Sequence, residues 1–173
     1  RQNIKYYVDR LSEEVRMIVT YVVEESGEGV FLYRNSGGQQ IETAKIGSRV
    51  KLHATAAGKA ILAHLPEDKV REIIETQGLQ EQTDQTITDP AALLDELSMI
   101  RDRGYAINNG ERISRLHSIA TVIKDSKGNV AGALAISGPH HQLESENTIE
   151  ELSSQLLGTA EEIELNSVYS GSV

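Results

Sequence analysis

The residues from Gly47 to Leu62 (GSRVKLHATAAGKAIL) constrain the fold most, because they predict a strand that runs directly into a helix. The turn-forming pair Gly47-Ser48 opens this stretch, and small, helix-favouring residues from Ala54 to Leu62 close it. Such a junction gathers unpaired backbone N–H groups at the positive end of a helix dipole, which suits an anion or a polar small molecule. Alternatively, the small residues only let the helix pack closely on a sheet, and spacing alone leaves both interpretations open.

Strand patterns occur on both sides of a helical middle. Apolar spacing predicts a helix from Asn3 to Glu14, and β-branched residues predict a hairpin with strands at Arg16 to Glu24 and Val30 to Arg34. Alternation predicts a third strand from Gln40 to Ile46. Later helices are predicted at Pro66–Gln77, Asp89–Arg103 and Ser145–Tyr169, with Gly104 as the C-terminal cap of the second of these. Later strands are predicted at Tyr105–Asn108, Leu116–Asp125 and Asn129–Ser137. Without regular βαβ alternation, this order predicts an α+β domain around a largely antiparallel sheet.

One face of the last strand carries only small side chains. Alternation places Ala131, Ala133, Ala135 and Ser137 on the same face. Small residues on a sheet leave room for a packed helix or for a ligand, and the pattern does not separate the two.

Composition excludes several classes of function. At 173 residues and 39% hydrophobic, the chain suits one domain with a sizeable core. Its 17 basic against 26 acidic residues give a net charge of −9, so we expect no DNA binding by this chain alone. The absence of Cys excludes disulfides and thiolate metal sites and fits a reducing cytoplasm. No apolar run approaches the ~18 residues of a membrane span.

The residue pattern gives no sign of catalysis, metal binding or a cofactor. None of the five His has a partner His four residues away with a nearby acid, as a helical metal site needs. His117 and Ser118 are adjacent on a predicted strand, so they point to opposite faces and cannot act as base and nucleophile together. Gly58-Lys59 lacks the upstream Gly of a phosphate-binding loop.

Three sequence blocks carry a resemblance to a known family. They are Leu52-His53-Ala54-Thr55-Ala56 followed by Gly58-Lys59-Ala60, then Arg103-Gly104-Tyr105-Ala106, then Ala135-Ile136-Ser137-Gly138-Pro139. In this order they resemble the LHATALGKA, RGYA and SxSGP signatures of the effector-binding domain of IclR-type transcription regulators.

The resemblance implies a fold, a domain organisation and partners. It implies a GAF-like domain, with a curved antiparallel sheet flanked by helices on both sides and a pocket between the sheet and its crossing loops. Residues 1–14 would form a lead-in helix and residues 15–170 the effector-binding domain, with the family's winged helix-turn-helix domain absent from this sequence. The implied partners are a small anionic or polar metabolite, for example an organic acid, a second copy in a dimer or tetramer, and operator DNA through the missing domain only.

The resemblance also implies nine site positions. Gly47 and Ser48 would offer loop backbone to the effector, and Asn108 stands where the family commonly has Asp. Ser118 stands where Cys is common, with Leu116 on the same face. The closing strand contributes Ala135 and Ser137, while Tyr33 and Ile41 are weaker candidates for the pocket wall, with simple core as their alternative.

Asn108 in place of Asp exchanges a fixed negative charge for an amide that donates and accepts. We therefore expect the pocket to tolerate a more anionic or a phenolic effector, whose identity stays open. Two other functions remain as alternatives: a small-molecule enzyme of GAF-like fold, and a dimerisation module with a vestigial pocket.

Overall fold

A six-stranded antiparallel sheet in the order β3-β2-β1-β6-β5-β4 forms the centre of the computed structural model, which describes residues 3–41 and 44–170. Every neighbouring pair in this order is antiparallel, as the sequence predicts. The strands are β1 (Ile18–Glu25), β2 (Glu28–Asn35), β3 (Arg49–Lys51), β4 (Ala106–Asn109), β5 (Leu116–Lys124) and β6 (Val130–Pro139).

Helices cover both faces of this sheet. They are α1 (Ile4–Val15), α2 (Ala56–Ala63), α3 (Glu67–Gln77), α4 (Pro90–Arg103) and α5 (Glu146–Ser170). Apolar residues of α2, α3 and α4 form one core with the first face, and those of α1 and α5 form a second core with the other. The GAF-like α+β prediction is confirmed. No helix in the described part of the chain is long and apolar enough to cross a bilayer.

Strand β6 separates the two cores by the size of its side chains. Ala133 and Ala135 face the core that contains α2, whereas Leu134 and Ile136 face α1 and α5. The bare face lets α2 approach so closely that all eight of its residues are buried. A Cβ on Gly58 would overlap the carbonyl oxygen of Leu52, so the contact between α2 and the turn before it, Leu52–Ala54, requires glycine. The small residues of β6 and α2 therefore allow the helix to pack closely on the sheet.

Local capping signals are confirmed at the helix ends. The Asp89 carboxylate accepts a hydrogen bond from the N–H of Ala92 at 3.0 Å, and Gly104 ends α4 in the left-handed conformation. At the start of α5, the Ser145 hydroxyl oxygen accepts from the N–H of Thr148 at 3.1 Å.

The strand predicted at 40–46 is wrong for the described residues of that range, Gln40, Ile41 and 44–46. Residues 42 and 43 lie outside the described part. The edge of β2 is instead taken by β3, which pairs with Glu28–Val30. Alternation at 40–46 is a local pattern, and a strand also needs a neighbour with free backbone groups to pair with.

The apolar stripe of α1 is covered within the same chain. Its members Ile4, Tyr7, Val8 and Leu11 are buried in the core shared with α5. The Arg10 guanidinium holds the Glu162 carboxylate of α5 through two hydrogen bonds of 2.7 and 2.8 Å. This stripe is therefore not available to bind a second copy.

Candidate functional site

A cavity of about 40 Å³ lies where the start of α2, the sheet and the loop between β4 and β5 meet. Polar and small residues dominate the wall on the sheet side. The lining residues are Ile18, Thr20, Phe31, Thr55, Ala56, Ala57, Asn108, Arg112, Ile113, Leu116, Ser118, Ala135 and Ser137.

Strand register arranges the sheet wall of the cavity in rows. Asn108 of β4 lies opposite Ser118 of β5, which lies opposite Ser137 of β6, which lies opposite Ile18 of β1. In the next row on the same face, Ala135 lies opposite Thr20. Since facing residues in an antiparallel sheet are about 4.5–5.5 Å apart, the polar groups form a continuous row across neighbouring strands.

Three largely buried residues in this wall have hydroxyl groups without a hydrogen-bond partner among the described residues. Thr20 is 4% exposed, and Ser118 and Ser137 are each 8% exposed. Within residues 3–41 and 44–170, none of the three hydroxyls forms a hydrogen bond. Because these hydroxyls line the cavity and have no protein partner, they are available to a polar guest or to ordered water.

The first turn of α2 adds backbone donors to the same cavity. The Thr55 hydroxyl caps the helix by accepting from the N–H of Gly58 at 2.9 Å. Helix geometry leaves the N–H groups of Ala56 and Ala57 without an intrahelical acceptor, and no other acceptor is present in the described residues. Together with the positive end of the helix dipole, these amides favour an anionic or carbonyl-bearing guest.

Asn108 is fixed by hydrogen bonds at both ends of its amide. Its Nδ2 donates to the carbonyl oxygen of Ala54 at 2.7 Å, and its Oδ1 accepts from the N–H of Glu111 at 2.8 Å. An ionised aspartate could not donate to Ala54. The amide retains one N–H and one lone pair for a guest.

A buried ion pair behind the cavity holds the loop that follows β4, the strand that contains Asn108. The ammonium group of Lys59, fully buried on α2, lies 2.8 Å from the Glu111 carboxylate and 3.2 Å from that of Glu96 on α4. It also donates to the carbonyl oxygen of Ile107 at 2.8 Å. Lys59 therefore makes two hydrogen bonds, to Glu96 and Ile107, and an ion pair with Glu111, and it has a structural role.

Arg112 brings a positive charge to the cavity lining. The described residues provide neither an ion pair nor a hydrogen bond for its guanidinium, and no Asp or Glu is among the lining residues. Burial lowers the pKa of Arg112 from its ordinary value, because the charged form loses water without gaining a partner.

Five of the nine predicted site residues line this cavity: Asn108, Leu116, Ser118, Ala135 and Ser137. The loop pair Gly47 and Ser48 does not. The N–H of Gly47 donates to the carbonyl oxygen of Phe31 at 2.7 Å, and that of Ser48 donates to Lys45 at 3.0 Å. The expectation that this pair presents free N–H groups is corrected, because both close a turn before β3.

Tyr33 and Ile41 also lie away from the cavity. Tyr21 pairs with Tyr33 and Val22 with Phe31, so a β-bulge skips Leu32. The bulge reverses the alternation, so that Phe31 faces the cavity while Tyr33 packs against Tyr21 on the opposite face, with ring centroids 6.3 Å apart. Ile41 lines a separate surface cleft with Gln39 and Ala44 among others.

The nine predicted site positions do not include the first-turn residues of α2, nor Thr20, Phe31 and Arg112. The α2 residues had a usable signal, since Thr55 before two alanines and Gly58 is a typical N-cap pattern. Arg112 had none, because a loop arginine is most often exposed to solvent.

The cavity wall contains no base that could activate its hydroxyls. Its lining includes neither His nor a carboxylate. His117 lies on the other side of β5, where one of its ring nitrogens is 3.2 Å from Nδ1 of His140. The described residues also contain no cluster of three or more His, Asp or Glu able to hold a metal ion. The arrangement is suited to binding a small polar molecule.

Comparisons with known proteins agree with this architecture. The family model for the C-terminal domain of the bacterial transcriptional regulator IclR matches residues 1–165. The chain is 32% identical over 163 residues to a probable HTH-type transcriptional regulator, ArcR of Halobacterium salinarum, covering 91% of this chain and 62% of that protein. It therefore spans less than two thirds of the length of that regulator.

Two solved structures have the same fold. The crystal structure of Thermotoga maritima IclR superposes with a TM-score of 0.90 at 33% identity, over 96% of this chain and 69% of that one. The inducer-binding domain of PobR from Acinetobacter, a double mutant in complex with 3-hydroxybenzoic acid, gives a TM-score of 0.85 at 24% identity, covering 92% and 94% of the two chains. The chain therefore belongs to the IclR family, as a C-terminal domain of its bacterial transcriptional regulators.

Proposed function

We propose that this domain senses a small polar or anionic metabolite in the cavity beside α2 and transmits its presence to a DNA-binding domain. The observation that carries the proposal is the set of hydroxyls on the largely buried residues Thr20, Ser118 and Ser137, which line one cavity without protein partners. A pocket that had lost its function would be expected to fill with apolar side chains, since hydroxyls without a protein partner add nothing to a packed core.

The hydrogen-bond network around the cavity supports a route for transmission. Asn108 lines the cavity and bonds to Glu111, and Glu111 contacts Lys59 of α2, which in turn contacts Glu96 of α4. A guest that draws on Asn108 therefore acts on two helices beyond the sheet.

The proposed partners follow from the family. Operator DNA would be bound through an N-terminal domain, since a net charge of −9 disfavours contact between this chain and phosphate backbones. Helix α1 would connect to that domain, and self-association into a dimer or tetramer would bring two DNA-binding domains together. Acting on DNA, the whole protein would work in the cytoplasm.

Titration calorimetry and melting with a library of small metabolites test the proposal. Ser137→Val removes one hydroxyl and adds methyl groups to a cavity of about 40 Å³, so we expect it to weaken binding about tenfold or more. Ser154→Val, on the exposed face of α5, is the matched control and should bind normally. If no compound binds the parent, or if Ser137→Val binds as the parent does, the sensing proposal is wrong.

The same compounds test the two alternative functions. A GAF-like enzyme would convert one of them, which product analysis after incubation would reveal. A dimerisation module with a vestigial pocket would form a dimer in ultracentrifugation while giving no binding heat with any compound.

A further inference from the structure

Arg112 lines the cavity as a cation for which the described residues supply no counter-ion. It belongs to the loop between β4 and β5, directly after Glu111. The Glu111 carboxylate does not neutralise it, because that group contacts Lys59 at 2.8 Å and the N–H of Asn109 at 3.1 Å. The guanidinium donors of Arg112 are therefore available to a molecule in the cavity.

Holding this charge in a partly buried place is unfavourable unless a partner compensates. Burial lowers the pKa of Arg112, and no described neighbour opposes that shift. Buried charges in proteins are generally paired, and loss of water without pairing costs free energy. An anion beside the guanidinium would remove this cost, and a carboxylate would match its planar fork with two hydrogen bonds.

The remaining groups limit the size and chemistry of such an anion. The volume of about 40 Å³ corresponds to about three or four water molecules. The free N–H groups of Ala56 and Ala57 add donors for negatively charged oxygen. The hydroxyls of Thr20, Ser118 and Ser137 offer several further partners to a polar substituent.

We propose that Arg112 is the charge-selecting residue of this cavity, which makes it prefer a carboxylate over the neutral amide of the same molecule. This inference rests on the proposed sensing function. The carboxylate pairs with Arg112, and a polar substituent reaches the hydroxyls of the sheet wall.

Matched pairs of acids and neutral amides test the proposal by titration calorimetry. The probes are glycolate and glycolamide, lactate and lactamide, and 2-hydroxybutyrate and its amide. The parent should bind at least one acid about 10- to 150-fold more tightly than its amide, the range for a charge-assisted hydrogen bond. Arg112→Gln should lose this preference while its affinity for the amide stays the same.

Arg115→Gln is the control, because Arg115 is exposed and lines a separate cleft beside His140. It should keep the preference for acids. Without ligand, Arg112→Gln should melt at the same temperature as the parent or higher, because it removes a partly dehydrated charge. A substantially lower melting temperature would show a structural role and overturn the proposal.

The remaining outcomes separate this inference from the sensing function. If neutral compounds bind and Ser137→Val weakens them, while no acid in the panel is preferred, sensing stands and the role of Arg112 is refuted. Retained acid preference in Arg112→Gln refutes it as well. If no compound of any charge binds the parent, both proposals fail.

Discussion

The ammonium group of Lys59 on α2 lies 2.8 Å from the carboxylate of Glu111 in the turn after β4, and Lys59 is fully buried. This pair joins the helix that borders the cavity to the loop that carries Arg112. It also places the N–H of Glu111 against Asn108. The shape of the cavity therefore depends on a contact that lies behind its wall.

We expect Lys59→Met to destabilise the domain by about 3–5 kcal/mol, because it leaves the Glu111 carboxylate buried without its partner. Urea unfolding followed by circular dichroism measures the change. Lys127→Met, in the exposed turn between β5 and β6, is the control and should stay within about 0.5 kcal/mol of the parent. A loss below about 1 kcal/mol for Lys59→Met would show that the pair is dispensable.

Two glycine substitutions should act in opposite directions. A Cβ on Gly58 would overlap the carbonyl oxygen of Leu52, so Gly58→Ala should cost about 3 kcal/mol or more. Gly158 lies inside α5, where an added Cβ meets nothing within 4 Å, so Gly158→Ala should stabilise by about 0.5–1 kcal/mol. The melting temperature of each variant is compared with that of the parent. Equal effects of the two substitutions would contradict the close approach of α2 to the turn before it.

The hydroxyl of Ser118 should matter for binding and not for folding. Because it has no partner in the described structure, Ser118→Ala should leave the melting temperature unchanged or slightly raised, while weakening a bound effector by about 2- to 10-fold. The hydroxyl of Thr86 is the contrast, since it accepts from the N–H groups of Gln82 and Thr83 and donates to Glu111. Thr86→Val should cost about 1–3 kcal/mol. A clear loss of stability in Ser118→Ala would indicate that its hydroxyl has a structural partner.

Much of the fold could be predicted because its signals are local. Asp89 caps α4, Gly104 ends it, and alternation along β6 assigns Ala135 and Leu134 to opposite faces. The strand predicted at 40–46 failed because pairing depends on which edge is free, and β3 occupies the edge of β2.

The cavity residues likewise divide into those whose position depends on local sequence and those whose position depends on tertiary structure. Asn108, Ser118 and Ser137 were predictable in position because strand alternation fixes the face of each residue. The face on which Tyr33 lies was not predictable, since the bulge at Leu32 reverses the alternation and no local sequence pattern indicates the bulge. Arg112 was not either, because the side-chain direction of a loop residue depends on tertiary packing.

Replacing Asn108 by the aspartate that is common in the family should destabilise this chain. Asn108→Asp removes the donor that holds the carbonyl oxygen of Ala54 at 2.7 Å and brings two acceptors together. We expect a cost of about 1–3 kcal/mol at neutral pH in urea unfolding. Asn147→Asp, exposed in the first turn of α5, introduces the same charge where a helix start favours it and should not destabilise. Equal stability of Asn108→Asp and the parent would mean that the contact with Ala54 contributes nothing.

Stability should fall as the pH decreases below neutrality, and His53 should account for part of this loss. His53 is 3% exposed, and its Nε2 lies 2.9 Å from the carbonyl oxygen of Gln80. Burial lowers the pKa of His53, reinforced by the nearby charge of Lys51, whereas the bond to Gln80 and the charge of Glu111 act in the opposite direction. The pKa of His53 in the folded state is therefore below that of the unfolded chain, about 6.5.

The direction in which stability changes with pH follows from this order of pKa values. Between the two pKa values the unfolded chain binds the proton more readily, so stability is fully present above about pH 6.5 and is lost as the pH falls toward the folded-state pKa. Burial also lowers the pKa of His117, which contributes in the same direction. Urea unfolding between pH 7.5 and 5.5 should therefore show a smaller slope for His53→Gln, which retains a donor for Gln80 but does not titrate. His141→Gln, at an exposed position, should keep the slope of the parent. An unchanged slope in His53→Gln would show that His53 has the same pKa in both states, and the pH dependence would then have to come from His117 beside His140.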